Sequence, residues 1–83
     1  MFDFEWTGRR DADDADESRG IDAAIKYCAD NGIDAAKAYA AMTSEDATEA
    51  DIDIWFQVEG AAVSAMCEGW HQTPDYVGLI WID

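Results

Sequence analysis

Carboxylates are the groups in this chain whose number and spacing could do chemistry. Asp11, Asp13, Asp14, Asp16 and Glu17 fall within seven residues, and Glu45, Asp46, Glu49, Asp51 and Asp53 within nine. Clustered carboxylates can hold a hard cation or present fixed negative charge. A calcium loop of the EF-hand kind needs Gly at its sixth position and Glu at its twelfth. Counted from Asp11 these are Asp16 and Asp22, and counted from Asp14 the sixth is Arg19. The signature fails in both registers, which leaves loose divalent binding, a solvated charge run, or charge displayed to a partner.

Other chemistry is harder to assemble. His71 is the lone histidine and follows Cys67 by four residues. Two ligands do not make a zinc site, and Gly69 breaks the helical spacing between them. A Cys-His nucleophile would need an orienting third group and an oxyanion donor, and neither is identifiable. Cys28 and Cys67 are the only cysteines and read as reduced, small core residues, with a disulfide between them as the alternative. There is no phosphate-binding Gly loop, Ser-His-Asp set or dinucleotide fingerprint. The expectation is a protein that is not an enzyme and uses no cofactor.

If the segment around residues 46–68 is helical, Asp46, Glu49, Asp53, Gln57, Gly60 and Ser64 share a polar stripe. Its carboxylates then climb in steps of about 5 Å, against phosphates about every 3.4 Å along each DNA strand. Such a row can stand in for part of a phosphate backbone before a basic groove, and the 11–17 acids would extend it if they packed alongside. An ordinary solubilising helix face has the same pattern.

The elements that must position these groups follow from periodicity. Phe2, Phe4 and Trp6 alternate with Asp3, Glu5 and Thr7, which predicts a half-buried strand ended by Gly8. Residues 9–17 read as a solvated loop leading to a helix that starts near Glu17 or Ser18. Ile21, Ala24, Ile25 and Cys28 form its apolar face, Asp22 and Lys26 an exposed pair, and Asn31-Gly32 the stop. Asp34 caps a second helix through about Met42, with Ala35, Ala38, Tyr39 and Met42 facing inward and Ile33 as a staple.

Residues 43–70 carry two patterns. Ile52, Trp55, Phe56, Ala62, Val63 and Met66 line a helical face, with Thr43, Ser44 and Thr48 as candidate caps. Ile52, Ile54, Phe56 and Val58 also alternate like a strand. The helical stripe runs further, so a helix over about 46–68 is expected. Gly69 and Pro74 mark a loop, and the apolar run from Tyr76 to Ile82 predicts a strand covered on most of both faces. Trp6, Phe56 and Trp81 are expected in the core, and Trp55 or Trp70 partly exposed. The fold class that results is α+β: one domain over 1–83, with about three helices on a small antiparallel sheet that pairs the terminal strands.

Composition narrows the partners. Thirteen Asp and six Glu face three Arg and two Lys, for a net charge of −14 on 83 residues. The 49% apolar content supports a folded core. Direct nucleic-acid binding needs clustered Lys and Arg, so it is disfavoured, and so is an anionic membrane. No stretch approaches the roughly 20 apolar residues of a membrane span, and no export signal is visible, so a cytoplasmic location is expected. The complementary partner is expected to be basic: a DNA- or RNA-binding protein or a nuclease complex, or else cations. The residues expected to meet it are Asp11, Asp13, Asp14, Asp16, Glu17, Glu45, Asp46, Glu49 and Asp53. No heptad marks a coiled coil, and a homodimer would suit a longer charged surface.

Small size, extreme acidity and acids on helix faces resemble the DNA-mimic inhibitors of phages and mobile elements, among them anti-CRISPR and anti-restriction proteins. Trp55-Phe56-Gln57-Val58-Glu59-Gly60-Ala61 is similar to an aromatic and acidic segment of ArdA-type anti-restriction proteins, departing from it at Gln57 and Val58. The resemblance implies an inhibitor that occupies the basic DNA-binding surface of a host defence complex in the host cytoplasm. The alternatives are a high-salt solubility adaptation, or an accessory or adaptor protein docking through Trp55 and nearby apolar residues.

Overall fold

The computed structural model describes residues 3–9, 13–68 and 76–82. They form strand β1 (Asp3–Arg9), helices α1 (Asp14–Asn31), α2 (Ala35–Met42) and α3 (Glu49–Met66), and strand β2 (Tyr76–Ile82). The strands pair antiparallel, with Phe4 opposite Trp81 and Trp6 opposite Leu79. This is the expected α+β arrangement of three helices with a two-stranded terminal sheet.

Alternation places Phe4, Trp6, Leu79 and Trp81 on the inner sheet face. Phe4, Trp6 and Leu79 are buried, and Trp81 packs against the core half-buried. The outer face carries exposed Glu5 and Thr7, half-buried Ile80 and exposed Ile82. Over residues 78–82 the outer face of β2 is therefore only partly covered, less than its composition suggested. Nor does Gly8 end β1. It continues to Arg9 because Gly8 adopts a φ of 90°, which costs a glycine little, and still pairs with Val77.

α1 begins earlier than periodicity predicted. Asp13 is its N-cap, accepting the Asp16 N–H at 2.8 Å, and Asp14, Asp16 and Glu17 occupy the first turn. Acids there meet the positive end of the helix dipole, so the charge that argued for a loop supports the helix start. Gly32 ends α1 as expected, left-handed at a φ of 65°, with the Ile33 N–H reaching the Cys28 carbonyl at 2.8 Å. Asp34 caps α2, its Oδ1 accepting the Lys37 N–H, and Ile33, Ala35, Ala38, Tyr39 and Met42 all pack on the core.

The 43–70 ambiguity resolves to helix, with Thr48 as the N-cap of α3. Thr48 Oγ1 accepts the Asp51 N–H while the Asp51 carboxylate accepts the Thr48 N–H, a reciprocal capping box. The buried positions are Trp55, Val58, Ala62 and Met66. Phe56, expected in the core, is 57% exposed, and Trp55, a candidate for exposure, is 1% exposed. The inward face is rotated toward Val58, the residue the helical pattern had omitted. In α1 the buried face is Gly20, Ala24 and Cys28, and Ile25 is exposed on its flank.

These small α1 residues let the helix sit close to α3. A β-carbon at position 20 would lie 2.5 Å from Trp6 Cζ2 and 2.8 Å from the Ala62 carbonyl oxygen. Tyr27 donates its hydroxyl to Gln57 Oε1 at 2.6 Å, so α1 and α3 run antiparallel. Trp55 sits at the centre, with its ring near Phe4 and Tyr39 (centroids 5.8 and 4.9 Å) and its Nε1–H on the Leu79 carbonyl at 3.0 Å. Glu59, one turn on, accepts the Leu79 N–H at 3.0 Å. Two α3 side chains thus satisfy both backbone groups of Leu79 at the β2 edge, which would otherwise be open to strand pairing.

Candidate functional site

The expected partner-binding acids fall into two groups, and helix geometry holds them apart. Asp13, Asp14, Asp16 and Glu17 surround the start of α1. Asp11 lies outside the described residues. Glu45 and Asp46 are exposed in the turn before α3, Glu49 opens that helix, and Asp53 follows one turn later, both exposed. Asp46 is off the helix because Thr48 caps it, so the carboxylate row on α3 reduces to Glu49 and Asp53. Gln57, Gly60 and Ser64 continue that exposed stripe.

Arg19 fixes the relation between the two groups. Its guanidinium donates to the carbonyls of Ala65 at 2.7 Å and Met66 at 2.9 Å and to Asp16 Oδ1 at 2.9 Å. The start of α1 is thereby fastened to the end of α3, whereas Glu45–Asp53 lies at the start of α3. The sixteen residue steps from Glu49 to Ala65 span about 24 Å. The acidic segment therefore does not extend the α3 row alongside. It forms a second pole, in a molecule 36 Å long and about 22 Å across.

Several carboxylates already have intramolecular partners. Asp13, Asp34 and Asp51 cap helices, Asp16 binds Arg19, and Glu59 binds the Leu79 N–H. Asp30 takes Lys26, which had been expected to pair with Asp22. Among the described residues, the side chains of Asp14, Glu45, Asp46, Glu49 and Asp53 make no hydrogen bond or ion pair. Sequence reasoning identified these acids but could not separate caps from displayed charge, because an Asp at a helix start suits both roles.

The thiols do not look reactive. Cys28 and Cys67 are both buried and free. Desolvation pushes the Cys28 thiol pKa above its ordinary 9.0, with a smaller push from Asp34. Burial does the same to Cys67, aided by Asp16 and opposed by Arg19. Both stay protonated near neutral pH, the wrong state for a nucleophile. His71 and Trp70 lie outside the described residues. Among the described residues no three His, Cys, Asp or Glu gather as a metal site, and no helix is long and apolar enough to cross a membrane.

No protein-family model matches the chain, and no curated protein or solved structure matches it.

Proposed function

We propose that this protein is a non-enzymatic inhibitor of the anti-CRISPR or anti-restriction type. In this reading it occupies a basic nucleic-acid-binding surface of a host defence complex by presenting DNA-like charge. The chief support is the pair of acidic poles about 24 Å apart on a helical pair fastened by Arg19 and Tyr27. That separation is about seven base-pair steps of duplex DNA, at about 3.4 Å each. Fixed charge on capped helices loses little freedom on binding, so a basic groove gains attraction without ordering a loop. The net charge of −14 adds long-range steering toward a cationic partner.

The test is a salt-titrated competition assay. Labelled DNA bound to a panel of restriction enzymes and CRISPR surveillance complexes is challenged with the protein. Displacement that weakens steeply from low to physiological salt is the expected result. Asp14→Lys, Glu49→Lys and Asp53→Lys together should abolish it. All three side chains are exposed and form no hydrogen bond or ion pair among the described residues, so the fold should survive, whereas reversing Asp13 or Asp16 would also remove a cap or an ion pair. Undiminished displacement by a folded triple variant would refute the reading.

Exposed Glu5 on the outer sheet face and exposed Asp22 on α1, which belong to neither acidic group, favour the second reading, a high-salt solubility adaptation. That reading requires molar salt for folding, so cooperative unfolding at low ionic strength would count against it.

A further inference from the structure

Phe56 is the most exposed large apolar side chain among the described residues. A single exposed aromatic is ordinary, but this one has unusual neighbours. One turn away on α3 lie Asp53 and Gly60 on one side and Ile52 and Glu59 on the other, with Glu49 two turns back. α3 contains no Lys or Arg. Glu59 is turned to the Leu79 N–H, so the ring has the carboxylates of Asp53 and Glu49 along one side and no cation on its own helix.

Gly60 is the second observation. It sits in the interior of an 18-residue helix, is exposed, and has nothing within 4 Å of where a β-carbon would be. Its φ is not positive. Among the described residues neither packing nor backbone conformation calls for glycine here, and glycine weakens a helix relative to alanine. Gly20, by contrast, is required by contacts inside the fold. What Gly60 does provide is bare helix surface beside the Phe56 ring, where another chain can come close.

We propose that Phe56 and Gly60 form a docking notch on α3 for an arginine side chain of a basic protein partner. A guanidinium can stack on the ring face while its N–H fork reaches Asp53 or Glu49, a combination that a lysine ammonium cannot reproduce. The missing β-carbon at 60 lets the partner's backbone approach. The inference rests on the proposed reading only in taking the partner to be basic. It adds a short-range, salt-resistant anchor to long-range attraction.

The test is an NMR titration of the isotopically labelled protein with a nona-arginine peptide at about 0.15 M salt, with nona-lysine as the control. Arginine should shift the Phe56 ring and the Gly60 and Ser64 amides first and bind more tightly than lysine. Phe56→Ala and Gly60→Gln should each weaken arginine binding about fivefold and lysine binding by clearly less. Both positions are exposed, so both variants should fold, which amide dispersion checks directly. Equal affinity of the variants and the parent for nona-arginine, or shifts spread evenly over all acids, would overturn the notch while leaving charge mimicry intact. Failure to displace DNA from any basic protein, with local binding at Phe56 retained, would overturn mimicry and support the notch.

Discussion

The same substitution at two glycines should move stability in opposite directions. Alanine is favoured over glycine in a helix interior by about 1 kcal/mol, and both Gly20 in α1 and Gly60 in α3 are interior positions. At position 60 a β-carbon meets nothing within 4 Å, so Gly60→Ala should gain most of that amount. At position 20 it would meet Trp6 Cζ2 at 2.5 Å, the Ala62 carbonyl oxygen at 2.8 Å and Met66 Cβ at 3.1 Å. Trp6 is held by its Nε1–H bond to the Glu17 carbonyl at 3.0 Å, and Ala62 O belongs to the α3 backbone. Neither can step aside as a flexible side-chain tip could, so α1 and α3 must separate along their buried faces. Overpacking of this kind costs about 1–3 kcal/mol and sometimes more, which outweighs the propensity gain. For a domain of this size, 1 kcal/mol moves the melting midpoint by about 4–8 °C. Gly60→Ala should therefore melt about 4–8 °C higher, and Gly20→Ala lower by a comparable or larger interval. Thermal unfolding followed by circular dichroism at fixed salt decides it. A Gly20→Ala protein as stable as Gly60→Ala would refute the close α1–α3 contact.

The remaining predictions concern the contacts that hold the fold. Arg19→Lys should destabilise by about 1–3 kcal/mol, because an ammonium cannot serve both α3 carbonyls and Asp16 in the same planar fork, and denaturant midpoints should register the loss. Glu59→Ala should cost about 1.5–3 kcal/mol by removing the carboxylate from the Leu79 N–H and should speed amide exchange at Leu79. The thiols give a pH effect of defined sign. Their pKa values are raised in the folded state above the ordinary 9.0, so the associated stability is intact below pH 9.0 and declines as pH rises through the folded values. Cys28→Ala and Cys67→Ala should flatten that alkaline decline even though each lowers stability at neutral pH. Alkylation of the native protein at neutral pH should be slow and should accelerate on unfolding.

Much of the fold was legible in the sequence wherever periodicity and punctuation agreed. Asn31-Gly32 and Asp34 fixed the break between the first two helices, since a left-handed glycine and a capping carboxylate are local devices. β2 was legible as a strand because Tyr76–Ile82 is short and apolar, with β-branched or aromatic residues at five of its seven positions. Where two forces claimed the same residues, reading was harder. Asp13, Asp14, Asp16 and Glu17 suggested a solvated loop, and only the three-dimensional structure shows their charge placed on a helix dipole. The inward face of α3 departs from the periodic expectation for a different reason. Trp55 and Phe56 are adjacent aromatics, and one-dimensional periodicity cannot choose between them. Space for Trp55 depends on Phe4, Tyr39 and the Leu79 carbonyl, all distant in sequence.

The amount of charge could be counted in the sequence, but its placement could not. Acids that cap helices are held close to the backbone, whereas acids displayed beyond the caps are available to a partner, and composition treats the two alike. α1 and α3 lie antiparallel because Gly20, Ala24 and Cys28 let them meet, and Arg19 then joins the start of one to the end of the other. That packing alone turns two acidic stretches, separated by 27 intervening residues between Glu17 and Glu45, into opposite poles of a rigid pair. A partner that reads the poles responds to spacing as well as to net charge. Moving charge without changing its total should therefore separate display from bulk acidity: Glu49→Gln and Asp53→Asn, compensated by two new acids on the exposed residues Ala15 and Ser18 of α1, keep the charge at −14 and shift two charges from the pole at the start of α3 to the opposite one. Loss of DNA displacement by that variant would make geometry the determinant. Retention would reduce the poles to an incidental result of helix packing.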